Sequence, residues 1–364
     1  MDAIKKAFLW LIALRFVAIP GYCLLVERYA PLSFISKILS SNYLFWSWAN
    51  FDGEHYLSIA KFGYQIRDGF PQFTFFPLFP LLIKIGSWFT HDYLLSGFLV
   101  GFISLVMVLN LLPKWFALVT KKDYKLPLWF LLFAPGAVFL AAIYTEVLFI
   151  ALALGVFYFA EKKKWGLATI LTALASATRI NGVFLILFLL FKLFKSNLPK
   201  LQRLLYLFLS SSGIIIYCGY LYFKTGNALS WYTSQSAWGK ATATSPLVTA
   251  GNYLRAVTVN FVPDLVHLVV VIEIIVTLWA IYLIYVTVKN KLLSPPYVVY
   301  LIGNLLLPIA TGSLGSMPRF FLLLFPTIVV VPRMSNRFRF FLLTFYFILF
   351  STGVILFTRG YWYA

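Results

Sequence analysis

Runs of about 18 or more mostly apolar residues recur along this chain from end to end, and no other feature constrains its fold as tightly. In hydrocarbon a backbone must satisfy its own hydrogen bonds, so each run is expected to be a helix. A membrane β-barrel would instead show short segments of alternating polarity. The expected fold class is an all-α polytopic membrane protein, with 1–364 forming a single integral membrane domain. Spans are expected near 7–27, 93–113, 126–143, 146–160, 165–179, 182–195, 204–223, 265–288, 296–313, 319–332 and 340–358, which makes about 11 transmembrane helices.

The net charge of +19 would suit a nucleic-acid partner if it formed one surface. It does not. The cations fall in short clusters between apolar runs, as membrane topology requires, so membrane lipid and no nucleic acid is the expected partner. Cys23 and Cys218 lie inside apolar runs and read as small core residues. The first run is long and no small-residue cleavage site follows it, so it is read as a retained span.

The segment 73–90, FTFFPLFPLLIKIGSWFT, decides the topology. If it spans, the later lysine clusters face outward. If it lies in the interface, the clusters at Lys121/Lys122/Lys125, Lys162/Lys163/Lys164, Lys192/Lys195/Lys200/Arg203, Lys289/Lys291 and Arg333/Arg337/Arg339 share one side. The positive-inside rule favours the second arrangement, as do Pro77 and Pro80. The amino terminus is then cytoplasmic, and 28–92 and 225–264 are two external loops, the first with interfacial helices.

That topology, set by lysines alone, brings the unusual polar residues to one face. Asp52, Glu54, His55 and Tyr56 lie in NFDGEHYLSIA of the first loop. Glu146 follows at one outer hairpin, and Arg179 and Asn181 at the next. Gln235, Trp238 and Lys240 lie in the second loop, and Arg319 at the outer end of a late span. Plainer readings stand beside a site. Asp52 suits an N-cap of an interfacial helix whose apolar stripe is Tyr56, Ile59 and Ala60. His55 suits a structural hydrogen bond, Glu146 a helix start, the arginines snorkelling, and Gln235 and Trp238 an interfacial belt. Arg15 and Glu273 lie within spans, where a charge costs about 2.5–3.5 kcal/mol on insertion scales, so they are expected to have partners and could pair. No histidines stand at metal-ligand spacing, so no metal ligands are assigned, although a divalent cation is compatible with the set.

One carboxylate among several cations suits transfer of a sugar from a phospholipid carrier. The leaving phosphate is a weak base and needs cations rather than a strong acid. The attacking hydroxyl needs one base. Glycoside hydrolysis needs two flanking carboxylates, because its alkoxide leaving group must be protonated.

NFDGEHYLSIAKFGY followed by FTFFPLFPLL resembles the signature of the PIG-V family, the second mannosyltransferase of glycosylphosphatidylinositol assembly, and its shorter prokaryotic relatives. YTEVLF, ATRINGV, GNALSWYTSQSAWGK and MPRFFLLLFP follow in the family's order, over about 1–330. Phe51 stands where the family often has Trp, and Lys240 where Arg is common. The resemblance implies a GT-C glycosyltransferase fold. It implies an inverting transfer, on the external face, from a polyprenyl- or dolichyl-phosphate sugar, mannose above all, to a glycolipid or glycan acceptor. It implies Asp52 as base with Glu54 its rival. His55, Tyr56, Glu146, Asn181, Gln235 and Trp238 are then substrate contacts, and Arg179, Lys240 and Arg319 phosphate contacts. The short form points to a prokaryotic plasma membrane. A transporter or flippase of an anionic lipid-linked sugar is the alternative, and a non-catalytic subunit a third reading.

Overall fold

A computed structural model of the chain describes residues 3–25, 43–240, 244–259 and 262–363. Parts of both expected external loops, 26–42, 241–243 and 260–261, lie outside the described residues.

Four described helices are long and apolar enough to cross a membrane: Ala3–Leu24, Tyr93–Thr120, Leu265–Lys289 and Asn336–Thr358. Lys200–Ser210 and Ser212–Thr225 form a pair bent by 49°, which makes a fifth if counted as one span. The expected 11 continuous spans are therefore not all present as such. Leu78–Thr90, Trp165–Ser176, Gly182–Phe194 and Pro295–Ile309 are shorter apolar helices. The runs at 126–143 and 319–332 break into Lys125–Leu132 with a 3-10 turn at Ala137–Leu140, and Met317–Leu323 with 3-10 turns over Phe325–Arg333. Prolines at 135, 326 and 332 withhold backbone donors there. Irregular backbone is tolerated because these segments are buried in protein.

Glu146–Glu161 is the central helix, with residues on all sides buried, as an apolar circumference requires. It packs against Tyr93–Thr120 and Trp165–Ser176, and Ala3–Leu24 packs against Asn336–Thr358. The first span buries Trp10, Leu14 and Ala18, a face spaced by four residues.

Leu78–Thr90 has 13 residues, or about 20 Å of rise, too little to cross a ~30 Å core as a straight helix. Its length agrees with the interfacial reading. Pro77 and Pro80 sit at its start, where an absent N–H costs least. The motif helix Asp52–Phe62 buries Tyr56, Ile59 and Ala60, the stripe expected from spacing. Between these two helices a small antiparallel hairpin pairs Ile66 with Pro71 and Arg67 with Phe70, the one departure from an all-helical chain among the described residues.

Arg15 and Glu273 do not pair. The Arg15 guanidinium lies 3.7 Å from the centre of the Trp48 ring. Glu273 accepts from the Tyr253 hydroxyl at 2.8 Å.

Candidate active site

Asn50–Gly53 is a tight turn closed by the Gly53 N–H on the Asn50 carbonyl at 3.2 Å. Phe51 occupies its second position at φ 56°, ψ −117°, the corner of a type II′ turn that glycine prefers. Holding a phenylalanine there costs on the order of 1–3 kcal/mol. Buried neighbours hold it in place. The Asn50 side chain donates to the Phe357 carbonyl at 2.6 Å, and the Tyr144 hydroxyl donates to the Asn50 carbonyl at 3.0 Å. The Phe51 ring meets Trp362 edge-on at 4.9 Å. This turn starts the motif helix at Asp52 itself. Asp52 is thus the first helical residue and makes no capping bond; its carboxylate turns to Arg319 instead.

Arg319 arrives from the opposite part of the chain. Ser316, at φ 77°, sharply redirects the backbone into Met317–Leu323. Gly136 lets this helix start come close: a Cβ at 136 would lie 1.9 Å from the Pro318 carbonyl oxygen. The Arg319 guanidinium donates to Asp52 through Nη1 and to Glu146 through Nε, and it lies 4.6 Å from the centre of the Tyr144 ring. Glu146 also accepts from Arg179 through the same Oε1 atom. Arg179 further donates to the Thr145 hydroxyl at 2.9 Å. Glu146 is wholly buried at the start of the central helix, where the helix dipole favours an anion.

Above these ion pairs lies a cavity of about 170 Å³, lined by Asp52, Tyr56, Arg179, Asn181, Gln235, Trp238, Lys240 and Arg319 among others. Eight residues singled out in the sequence, from four separate segments, thus face one space. Three do not. Glu146 sits beneath it. His55 stacks on Phe75 at 5.1 Å, meets Trp238 edge-on at 4.8 Å and shares a hydrogen bond with Gln72 at 3.2 Å, so it braces the wall. Glu54 is absent from the lining and belongs to the field of Arg67 on the hairpin.

Three cations and two carboxylates leave the cluster with one net positive charge. Lys240 makes no ion pair among the described residues. Burial lowers its pKa; Asp52 opposes that, and Arg319 and Arg179 add to it. Burial pushes the Asp52 carboxyl up, but Arg319, by charge and hydrogen bond, with Lys240 and His55, brings it below the usual aspartate range. Burial likewise lowers the His55 imidazole, with Asp52 opposing. Asp52 is accordingly favoured as an acceptor, beside a lysine that is paired with no carboxylate among the described residues. Among the described residues, no group of three or more His, Cys, Asp or Glu side chains stands at metal-binding distance.

Residues 18–233, well over half of the 364, match the family described as Mannosyltransferase (PIG-V). The chain belongs to the PIG-V mannosyltransferase family. The matched part of this family member includes Asp52, Glu146 and Arg179; Lys240 and Arg319 lie beyond it. It is also similar to the GPI alpha-1,6-mannosyltransferase 2 proteins of Homo sapiens and Cricetulus griseus. The first is 30% identical over 203 residues, 50% of this chain and 39% of the human protein. The second is 34% identical over 158 residues, 39% of this chain and 31% of the hamster protein. The aligned part thus spans about two-fifths or less of these relatives' length.

Several cavity residues are not singled out by the sequence, although two lie within the motif stretches. Trp231, Phe320 and Trp362 resemble ordinary interfacial or core aromatics in the sequence. Behind the lining, Asn304 is a lone amide in an apolar run; it accepts from Asn181 at 2.8 Å and donates to the Tyr300 carbonyl at 2.8 Å.

Proposed function

We propose that this PIG-V family member is a membrane mannosyltransferase, with a GT-C fold. It takes mannose from a polyprenyl- or dolichyl-phosphate carrier and gives it to a glycolipid or glycan hydroxyl on the external face of a prokaryotic plasma membrane, inverting the sugar carbon. One observation carries the reading: Asp52, fixed by Arg319, shares a small cavity with Lys240 and Arg179.

The acceptor hydroxyl approaches Asp52, and its oxygen attacks the sugar carbon. As that bond forms the hydroxyl proton becomes acidic, so a carboxylate held to a low pKa still suffices as base. The bond from the sugar carbon to the phosphate oxygen breaks, and its electron pair leaves with the phosphate. Lys240 and Arg179 hold that phosphate, and the net positive charge of the cluster matches a phosphodiester monoanion. Asn181 and Gln235 offer hydrogen bonds to sugar hydroxyls, while Trp238 and Phe75 supply apolar walls. Glu146 acts through the arginines it orients. Among the described residues, no second carboxylate lines the cavity opposite Asp52, as a hydrolytic pair would need.

The test is to incubate the purified protein in lipid with radiolabelled polyprenyl-phosphate mannose and a total lipid extract of its host. Label passing to a new glycolipid or glycan supports the reading. Donor that is bound tightly, or moved across the bilayer, but never cleaved favours the transporter instead.

A further inference from the structure

The segment Gly360–Tyr363 follows the last membrane helix and lies outside the family match, yet it returns to the cavity. Gly360, at φ 80°, turns the chain at the end of that helix. Tyr363 then acts as an anchor. It is fully buried, and its hydroxyl donates to the Pro135 carbonyl at 3.0 Å and lies 3.2 Å from that of Leu349. Gly353 makes room for its ring, because a Cβ there would lie 2.4 Å from it.

Trp362, one residue before this anchor, is consequently held in place while staying 44% exposed. It lines the same cavity as Asp52. A large, rigid indole, pre-positioned at the wall of a polar pocket, offers apolar area to a ligand with little ordering cost. Its side of the cavity is identifiable. The ring touches Phe51, the residue preceding Asp52, whereas Trp231 and Trp238 belong to the segment that carries Lys240. One aromatic wall is thus joined to Asp52 and the other to Lys240.

We infer that Trp362 is the stacking surface of a subsite for the pyranose ring of the acceptor. The inference rests on the glycosyl-transfer reading for the word acceptor, but not for the sugar. A pyranose has an apolar C–H face that covers an indole, and its edge hydroxyls then remain free to meet Asp52. An aliphatic chain would use the same area without needing an aromatic ring.

The experiment compares wild type, Trp362→Phe and Trp362→Leu in lipid nanodiscs. Binding of methyl α-D-mannopyranoside and methyl glucosaminide is followed by saturation-transfer NMR, with erythritol as a faceless polyol. In parallel, transfer from polyprenyl-phosphate mannose is measured against rising amounts of host lipid extract. Trp362→Leu is expected to weaken pyranoside binding roughly five- to tenfold, and Trp362→Phe less than half as much. Acceptor KM should rise in step, with donor KM unchanged. Pyranoside binding equal in wild type and Trp362→Leu overturns the subsite, whether or not transfer occurs. Loss of pyranoside binding in the leucine variant, in a protein that never cleaves the donor, keeps the sugar subsite and overturns the transferase reading.

Discussion

Glu146 and Arg319 meet beneath the cavity, the carboxylate wholly buried and the guanidinium donating to it through Nε while Nη1 reaches Asp52. The ion pair therefore does more than neutralise a buried charge. It fixes the cation that pairs with Asp52, and through Arg179 it fixes a second cation at the cavity wall. The price of breaking it should be correspondingly broad.

Glu146→Gln keeps the shape and removes the charge, leaving two buried arginines with Asp52 as their remaining carboxylate. The expected loss is about 3–5 kcal/mol of stability, because an uncompensated buried charge is what remains. Thermal unfolding in detergent measures that, and transfer should fall with it. Unchanged melting would mean that the arginines find solvent instead.

Gly136 lies in no wall of the cavity, yet Gly136→Ala should impair transfer. Its methyl would meet the Pro318 carbonyl at 1.9 Å, and a backbone carbonyl cannot swing aside as a flexible side chain does. The helix carrying Arg319 must shift, and a shift of about 1 Å at a catalytic group costs on the order of a hundredfold. Kinetics of the folded variant, with stability followed separately, check this.

The pH dependence follows from three shifted groups. Asp52 lies below the ordinary aspartate value of about 3.9, so transfer should show no acidic limb from it above that pH. Its contribution to stability is present above the unfolded value and is lost as pH falls through the lower folded one. His55 is lowered too, so no step should appear near 6.5. Lys240 lies below the ordinary lysine value of about 10.4, so the basic limb should begin early. Burying this lysine charged costs stability at neutral pH, and that cost is relieved as pH rises through the folded value. Lys240→Arg should move the basic limb upward, and Lys240→Gln should raise donor KM about tenfold or more. A pH–rate profile of the three proteins reads all of this.

Much of this architecture is legible in the sequence, for a definite reason. The lysine clusters respond to the membrane alone, so they group the polar residues on one expected face without reference to those residues, and in the structure eight of these residues line one cavity. Asp52, Arg179, Lys240 and Arg319 stood out because charge is rare in an apolar chain and needs a reason. What escaped was whatever depends on close packing. Nothing local separates Trp362 from an interfacial tryptophan, and only the burial of Tyr363 turns it toward the cavity. The N-cap reading of Asp52 missed by one residue, because Phe51 takes a backbone conformation that its own side chain disfavours. Four or five of the expected spans are long continuous helices among the described residues; others are shorter apolar helices, and prolines break two runs that the protein then buries. His55 and Glu146 stand out in the sequence as rare ionisable groups; in the structure the first braces the aromatic wall and the second lies under the arginines.

The central claim is that Asp52, and not Glu54, is the base. The most direct measurement is the rate of mannose transfer from polyprenyl-phosphate mannose by wild type, Asp52→Asn and Glu54→Gln, purified side by side and checked for equal folding. The account predicts a loss of about 10²–10⁴-fold for Asp52→Asn and near-normal transfer for Glu54→Gln. Near-normal transfer by Asp52→Asn, or a collapse confined to Glu54→Gln, would contradict it.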